Sequence, residues 1–176
     1  IEAAKEEKLD VVLVGRGEAI LQCLKNHGIE TLPAGVEIAN ADDVVDMHDD
    51  PASVMKTRKN SSMLVGLQML KDGGGDAFVS AGSTGALLTA ATLIVKRIKG
   101  VRRAAIGPVI PTKTGGTVLI GLTKPVVKAH GSSDAVAIRS AIRQAAQAVS
   151  SGFTDDIRAN VEQMMVPKEL EHVQKS

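Results

Sequence analysis

The sequence predicts an α/β fold assembled from strand–loop–helix units, on three observations. Short uninterrupted aliphatic runs, Val11–Gly15 and Ala77–Ser80 among them, are of the kind buried in parallel sheets. Runs of this kind end in clusters of small residues, Ala81-Gly82-Ser83-Thr84-Gly85 and His130-Gly131-Ser132-Ser133-Asp134. Apolar residues at helical spacing then follow each cluster, which is the order strand, turn, helix.

Composition bounds the function classes. The 176 residues suffice for one substantial domain or a domain with an appendage. A formal net charge of +1 argues against a nucleic-acid partner, and the lack of Trp and Tyr removes base-stacking platforms and leaves an aliphatic core. One cysteine, Cys23, excludes an internal disulfide framework and any cysteine-based metal cluster. No run approaches the roughly 18 apolar residues of a membrane span, and no secretory signal opens the chain. A soluble cytoplasmic protein is the expectation.

In chain order, polar Ile1–Asp10 reads as the end or flank of a helix, and Val11–Gly15 as a buried strand. A helix from about Glu18 to Asn26 follows, with Ile20, Leu21 and Leu24 as its apolar stripe and Gly28 as its stop. Gly15-Arg16-Gly17 lacks the spacing of a dinucleotide fingerprint. Gly35–Ala41 is a second strand, with Val36 and Ile38 on one face. Asp42, Asp43, Asp46, Asp49 and Asp50 then cluster around His48, without a recognised metal spacing, so a solvated acidic loop is expected.

The sign of charge reverses at Lys56, Arg58 and Lys59. Asn60, Ser61 and Ser62 open a helix whose buried face carries Met63, Leu64, Leu67 and Leu70 and which ends near Gly73. Cations beside a positive helix end are a mild cost that a bound anion would offset; a solvated basic flank is the alternative.

Asp76–Ile98 is the stretch around which the chain is organised. Strand Ala77–Ser80 runs into Gly82 and Gly85, which permit close backbone approach, and Ser83 or Thr84 caps a helix from Ala86 to Ile98. The turn suits phosphate and equally suits plain topology. Lys96, Arg97, Lys99, Arg102 and Arg103 line the helix end and the next loop, where the helix dipole favours them. Ala104–Pro111 is an exposed-edge strand or one that ends at its prolines, Pro108 and Pro111, and Pro111–Gly116 is a turn or seam. Thr117–Leu122 and Pro125–Ala129 are two more strands, Pro125 suiting a strand edge.

The loop at His130 repeats the logic of the central turn. Ser132 or Ser133 is the expected N-cap of a helix from Ala135 to about Ser150, with Ile138, Ile142, Ala145 and Val149 buried and Arg139 and Arg143 opposite. His130 ends an apolar strand where α/β proteins place ligand-handling groups; a structural role is the alternative. No nucleophile-elbow context surrounds it. Beyond Gly152 a weaker helical pattern spans Ile157–Met165, and Pro167 precedes a polar tail.

Three blocks carry a specific resemblance: Arg58-Lys59-Asn60-Ser61-Ser62-Met63, Ser80-Ala81-Gly82-Ser83-Thr84-Gly85-Ala86-Leu87 and Lys128-Ala129-His130-Gly131-Ser132-Ser133-Asp134. With Ile98–Arg103 and the following strand, they resemble the bacterial phosphate acyltransferase of phospholipid synthesis over most of residues 11–150. Ser83 stands where that family usually carries Asn. Family members are considerably longer, with an Asp-rich, Gly-Gly-containing opening and a central region that should fall between Thr112 and Lys113. Residues 1–112 and 113–176 thus read as N- and C-terminal parts of one fold with the family's central segment absent between them. Either the protein is shortened or the sequence holds parts of a longer chain; the edges and apolar faces that lost strands would expose favour the second.

The resemblance implies a three-layer α/β/α sandwich similar to the isocitrate/isopropylmalate dehydrogenase fold. It implies transfer of an acyl group from acyl carrier protein to inorganic phosphate, with no nucleotide cofactor or metal. Ser83, Thr84 and the Gly82–Gly85 backbone would hold phosphate, with Arg58 and Lys59 neutralising it or gripping the carrier's arm and Asn60 and Ser61 donating hydrogen bonds. Ser132 and Ser133 join the substrate-binding set. His130 would polarise the carbonyl or protonate the thiolate, with Lys128 as electrostatic helper and Lys59 counted with them. An acidic carrier would dock on Lys96, Arg97, Lys99, Arg102 and Arg103. A homodimer loosely associated with the inner face of the plasma membrane is also implied. A related enzyme using coenzyme A thioesters and a non-catalytic phosphate- or carrier-binding module are the alternatives. An NAD-dependent dehydrogenase fails on its missing dinucleotide and metal residues.

Overall fold

The computed structural model describes residues 1–107 and 115–163. The expected turn at Pro111–Gly116 falls largely outside these residues, as do Pro108, Pro111, the 112/113 seam, Met165 and the tail beyond Pro167. Helix α1 (Glu2–Glu7) precedes β1 (Val11–Gly15), α2 (Gly17–Asn26) and β2 (Val36–Asn40). The aliphatic β1 pairs in parallel with β2, Val11 opposite Val36 and Gly15 opposite Asn40. Gly28 adopts φ 74° just past α2, the conformation that ends a helix most cheaply in glycine. The stripe of α2 is not core, however: none of its residues is fully buried, and Leu21 is 44% exposed. The helix rests on the two-stranded β1–β2 sheet, which offers too little surface to enclose it.

The acidic stretch Asp42–Asp50 is the mostly exposed loop expected. Asp50 caps a helix absent from the sequence-based expectation, α3 (Pro51–Thr57), by accepting the Ser53 N–H at 3.0 Å, and Pro51 occupies the first turn. In α4 (Ser62–Asp72), Met63, Leu64, Leu67 and Leu70 are buried as expected, and Gly73 takes φ 89° after the last turn. Gly66 lies on the same buried face because Phe78 of the next strand fills the space a side chain would need.

A four-stranded sheet has the order β3-β6-β5-β4, built from β3 (Phe78–Ser80), β4 (Ala105–Ile106), β5 (Gly116–Ile120) and β6 (Val126–Ala129). β3 and β6 are parallel; β6–β5 and β5–β4 are antiparallel, so the sheet is mixed. β4 takes the edge position anticipated for Ala104–Pro111. Pro125 precedes an inner strand instead of an edge: it sits before the first paired residue, Val126, so its missing N–H costs no ladder bond, and its carbonyl accepts from Phe78 N–H.

Helix α5 (Thr84–Ile94) stops short of Ile98. The β5–β6 turn captures the chain there: Thr123 Oγ1 donates to the Val95 carbonyl, Thr123 N–H to the Lys96 carbonyl, and Ile98 N–H to Gly121. Lys96 adopts φ 72°. Lys96, Arg97, Lys99, Arg102 and Arg103 therefore lie beyond the helix and not in its final turn.

Alternation along β6 divides the core between two faces. Val126 joins Leu64, Leu67, Leu87 and Ala90 of α4 and α5, whereas Val127 and Ala129 pack on Ala141 and Ala145 of α6 (Ala135–Ser150). Helices thus cover both faces of the sheet. Each fully buried leucine, Leu67 and Leu87 included, contributes about 1.5–3 kcal/mol. The buried stripe of α6 is Ala141, Ala145 and Ala148; Val149 is exposed, because close contact with the sheet selects the small residues one position away. Arg139 and Arg143 reach back to α1, pairing with Glu2, Glu6 and Glu7. A shorter helix, α7 (Phe153–Asn160), buries Ile157.

Gly66→Ala should destabilise the protein by about 1–3 kcal/mol, because the new Cβ would lie 2.3 Å from Phe78 Cε2. Thermal melting checks this; an unchanged or raised midpoint would contradict the packing.

Candidate active site

The parallel pairing of β3 with β6 places Ser80 beside Lys128 and sends two small-residue loops off the same sheet edge. On one side, Gly82–Thr84 turns from β3 into α5. Ser83 is buried and is the cap, its Oγ accepting the Ala86 N–H at 3.5 Å, while Thr84 is already helical. Ser80 Oγ accepts the Gly82 N–H at 3.2 Å, a contribution from the last strand residue not anticipated in the sequence. Gly82 leaves little room: a Cβ there would meet Met63 Cε at 2.9 Å, so the first turn of α4 packs against this loop. A Cβ at Gly85 would meet Pro51 Cγ at 3.0 Å, which brings α3 against the opening turn of α5.

On the other side, His130–Asp134 turns from β6 into α6, and a Cβ at Gly131 would lie 3.6 Å from the Ala81 carbonyl. The two loops are therefore neighbours. The cap of α6 is Asp134, whose Oδ1 accepts the Ala137 N–H at 2.7 Å; this corrects the assignment to Ser132 or Ser133. A carboxylate is the stronger acceptor, and Ser132 is engaged elsewhere. Its backbone N–H donates to His130 Nδ1 at 3.2 Å, and its Oγ lies 2.7 Å from the same nitrogen. Nδ1 thus acts as an acceptor, which leaves Nε2 of the exposed ring as the side that can donate. Ser133 N–H donates to the His130 carbonyl, closing the loop.

Lys128 stands on the face of β6 that also carries Val126 and looks towards α4 and α5. Its ammonium donates to the Ala129 carbonyl, and burial pushes its pKa down. A half-buried cation at this edge is suited to meeting an anion.

The Arg58–Ser61 block divides. Ser61 is fully buried and caps α4, its Oγ accepting from Leu64 N–H at 3.4 Å. Asn60 donates to Asp42 at 3.1 Å, and Lys59 is exposed. Arg58 forms a two-pronged pair with Asp49, Nε to Oδ2 at 3.1 Å and Nη2 to Oδ1 at 3.2 Å. The hydrogen bond from Arg58 holds the Asp49 carboxyl below the usual carboxylate range. Asp49 and Asp50 were legible only as acidic composition, although Asp-Pro is itself a helix-start signal. The Gly17 N–H is taken by Asn40 Oδ1 at 2.9 Å, which occupies the donor nearest the Gly15-Arg16-Gly17 turn.

Among the described residues no helix is long and apolar enough to cross a membrane. The profile of the fatty acid synthesis protein family matches residues 1–118 and 111–156. A phosphate acyltransferase of Clostridium kluyveri is 40% identical over 120 residues, 68% of this chain and 35% of its own. One from Dictyoglomus thermophilum is 42% identical over 114 residues, 65% of this chain and 33% of its own. The chain spans about a third of the length of these curated relatives.

Two outcomes follow from this geometry. Ser83→Ala should cost about 1 kcal/mol in denaturant unfolding through loss of the α5 cap, with an unchanged midpoint as the contrary result. Lys128 binds its proton less tightly folded than unfolded, so its contribution to stability rises with pH up to the ordinary lysine value of 10.5. Urea melts of Lys128→Met across the alkaline range should lack that rise, and an identical slope would sink the assignment.

Proposed function

This chain belongs to the fatty acid synthesis protein family, and from that premise we propose that it carries an acyl-group transfer site for inorganic phosphate. The fatty acyl group comes from acyl carrier protein and the product is an acyl phosphate for phospholipid synthesis. The observation that carries this reading is the adjacency of the two loops at one sheet edge, with Lys128 half-buried beside Ser80. Two helices open there, and their first N–H groups together with one cation suit a small multiply charged anion.

In the reaction a phosphate oxygen attacks the thioester carbonyl carbon, a C–O bond forms, and the tetrahedral intermediate collapses with loss of the C–S bond. Phosphate is already an anion, so the site's work is to hold it, orient it and stabilise the oxyanion. Thr84 and the Gly82–Gly85 backbone hold phosphate, and buried Ser83 shapes that backbone as its cap. Lys128 supplies charge. His130 offers its Nε2–H as a hydrogen-bond donor to the carbonyl oxygen as charge develops there and then to the departing thiolate, keeping its proton. Lys59 is the exposed cation for the phosphate or the carrier's arm; Ser61 caps α4, the Asn60 amide donates to the Asp42 carboxylate, and the Ser133 N–H closes the loop on the His130 carbonyl. Arg97 and the neighbouring cations beyond α5 form the docking face for an acidic carrier.

Helices on both faces of the four-stranded sheet support the reading as a three-layer sandwich of the isocitrate/isopropylmalate dehydrogenase type, with residues 1–112 and 113–176 proposed as its N- and C-terminal parts. A homodimer associated peripherally with the inner membrane surface completes the proposal.

Incubation with acyl carrier thioester should show loss that requires phosphate and leaves acyl phosphate by mass spectrometry, with the protein's intact mass recorded alongside. His130→Ala should lower the rate about 100-fold or more. Turnover of coenzyme A thioesters alone would replace the carrier as substrate, and phosphate binding without turnover would leave a binding module.

A further inference from the structure

Arg58, which the family resemblance puts among the phosphate-handling residues, is held by a carboxylate. Its guanidinium grips Asp49 through two hydrogen bonds at 3.1 and 3.2 Å. Two positions beyond Asp49, the ring of Pro51 packs on Gly85 in the opening turn of α5, and Val54 of the same helix is fully buried. The Asp49–Arg58 pair therefore clasps the two ends of α3, the helix whose first residue packs on the loop that would receive the anion. Asp43 and Asp46 also act on Arg58 electrostatically, each favouring its charged form.

The pair is built to be exchanged. Both side chains are partly exposed, 40% for Arg58 and 21% for Asp49, and an ion pair in that setting contributes little net stability. A guanidinium fork accepts a phosphate in the same two-pronged geometry as a carboxylate. Arg58 Nη1 makes no bond to Asp49, which leaves a donor from which an incoming anion can begin.

We propose that Asp49 is an internal competitor for the phosphate site: it holds Arg58 in the anion-free protein and yields it to inorganic phosphate on binding. This rests on the phosphate reading above and adds the group that sets the affinity. Because the exchange replaces one fork partner by another, removing the carboxylate should strengthen phosphate binding through Arg58.

The test is calorimetric titration of the chain with inorganic phosphate at constant ionic strength, for the wild type, Asp49→Asn, Arg58→Gln and the double variant. Circular dichroism confirms folding, and Asp49→Ser supplies the same comparison should the amide disturb the loop. Asp49→Asn should bind phosphate about two- to fivefold more tightly, and Arg58→Gln should abolish that gain. Equal or weaker binding by both Asp49 variants, with wild-type binding intact, overturns the exchange while keeping the site. A gain that persists in the double variant also overturns it, since relief of repulsion alone would then explain the effect. Absence of phosphate binding in every variant removes the site itself and the exchange with it.

Discussion

The hydrogen-bonded register of β3 against β6 is the constraint on which the site depends. Three paired residues on each strand put Ser80 beside Lys128 and align the points where both strands end. A slip of one residue would turn Lys128 towards α6 and Val127 towards α4, reversing the burial of every side chain on β6. The two hydrophobic clusters prevent it. Val126 is fully buried with Leu67 and Leu87, and Val127 and Ala129 are fully buried against α6. Core packing on two faces thus fixes the position of chemistry at one edge.

Local hydrogen bonding then shapes that edge. Ser83, Asp134 and Ser61 cap α5, α6 and α4, and each lies in a loop at or beside the ends of β3 and β6. Met63 against Gly82 and Pro51 against Gly85 bring α4 and α3 onto the first loop. His130 is held by Ser132 through Nδ1. Opposing charges are distributed unevenly: among the described residues no carboxylate pairs with Lys128, whereas Arg58 is paired with Asp49 and feels Asp43 and Asp46 as well. In the proposed site, that asymmetry assigns Lys128 as the resident cation and Arg58 as the exchangeable one.

Much of this order was legible in the residues. Aliphatic runs located β1, β2, β3 and β6, and small-residue clusters located both loops, because period and turn chemistry act locally. The features that escaped depend on partners distant in sequence. The end of α5 is set by Thr123 donating to the Val95 and Lys96 carbonyls and by the Gly121 carbonyl accepting the Ile98 N–H, and no local signal marks that. Ala141 and Ala148 displace Val149 from the core of α6 because the sheet approaches closely, which helical periodicity alone does not weigh. Asp50 and α3 were hidden by reading five aspartates as one acidic loop, and Asp134 by giving hydroxyls precedence over a carboxylate as cap. The family blocks marked Arg58 and His130 by type, but only geometry shows that one is clasped and the other oriented.

The central claim is that the loops after β3 and β6 form one anion site. Backbone amide NMR during titration with inorganic phosphate addresses it directly, because each loop reports separately. Shifts at Gly82–Gly85 and at Gly131–Ala137 that saturate together, with one dissociation constant, are the result this account requires. Shifts confined to a single loop, or found only on the basic segment beyond α5, would contradict it.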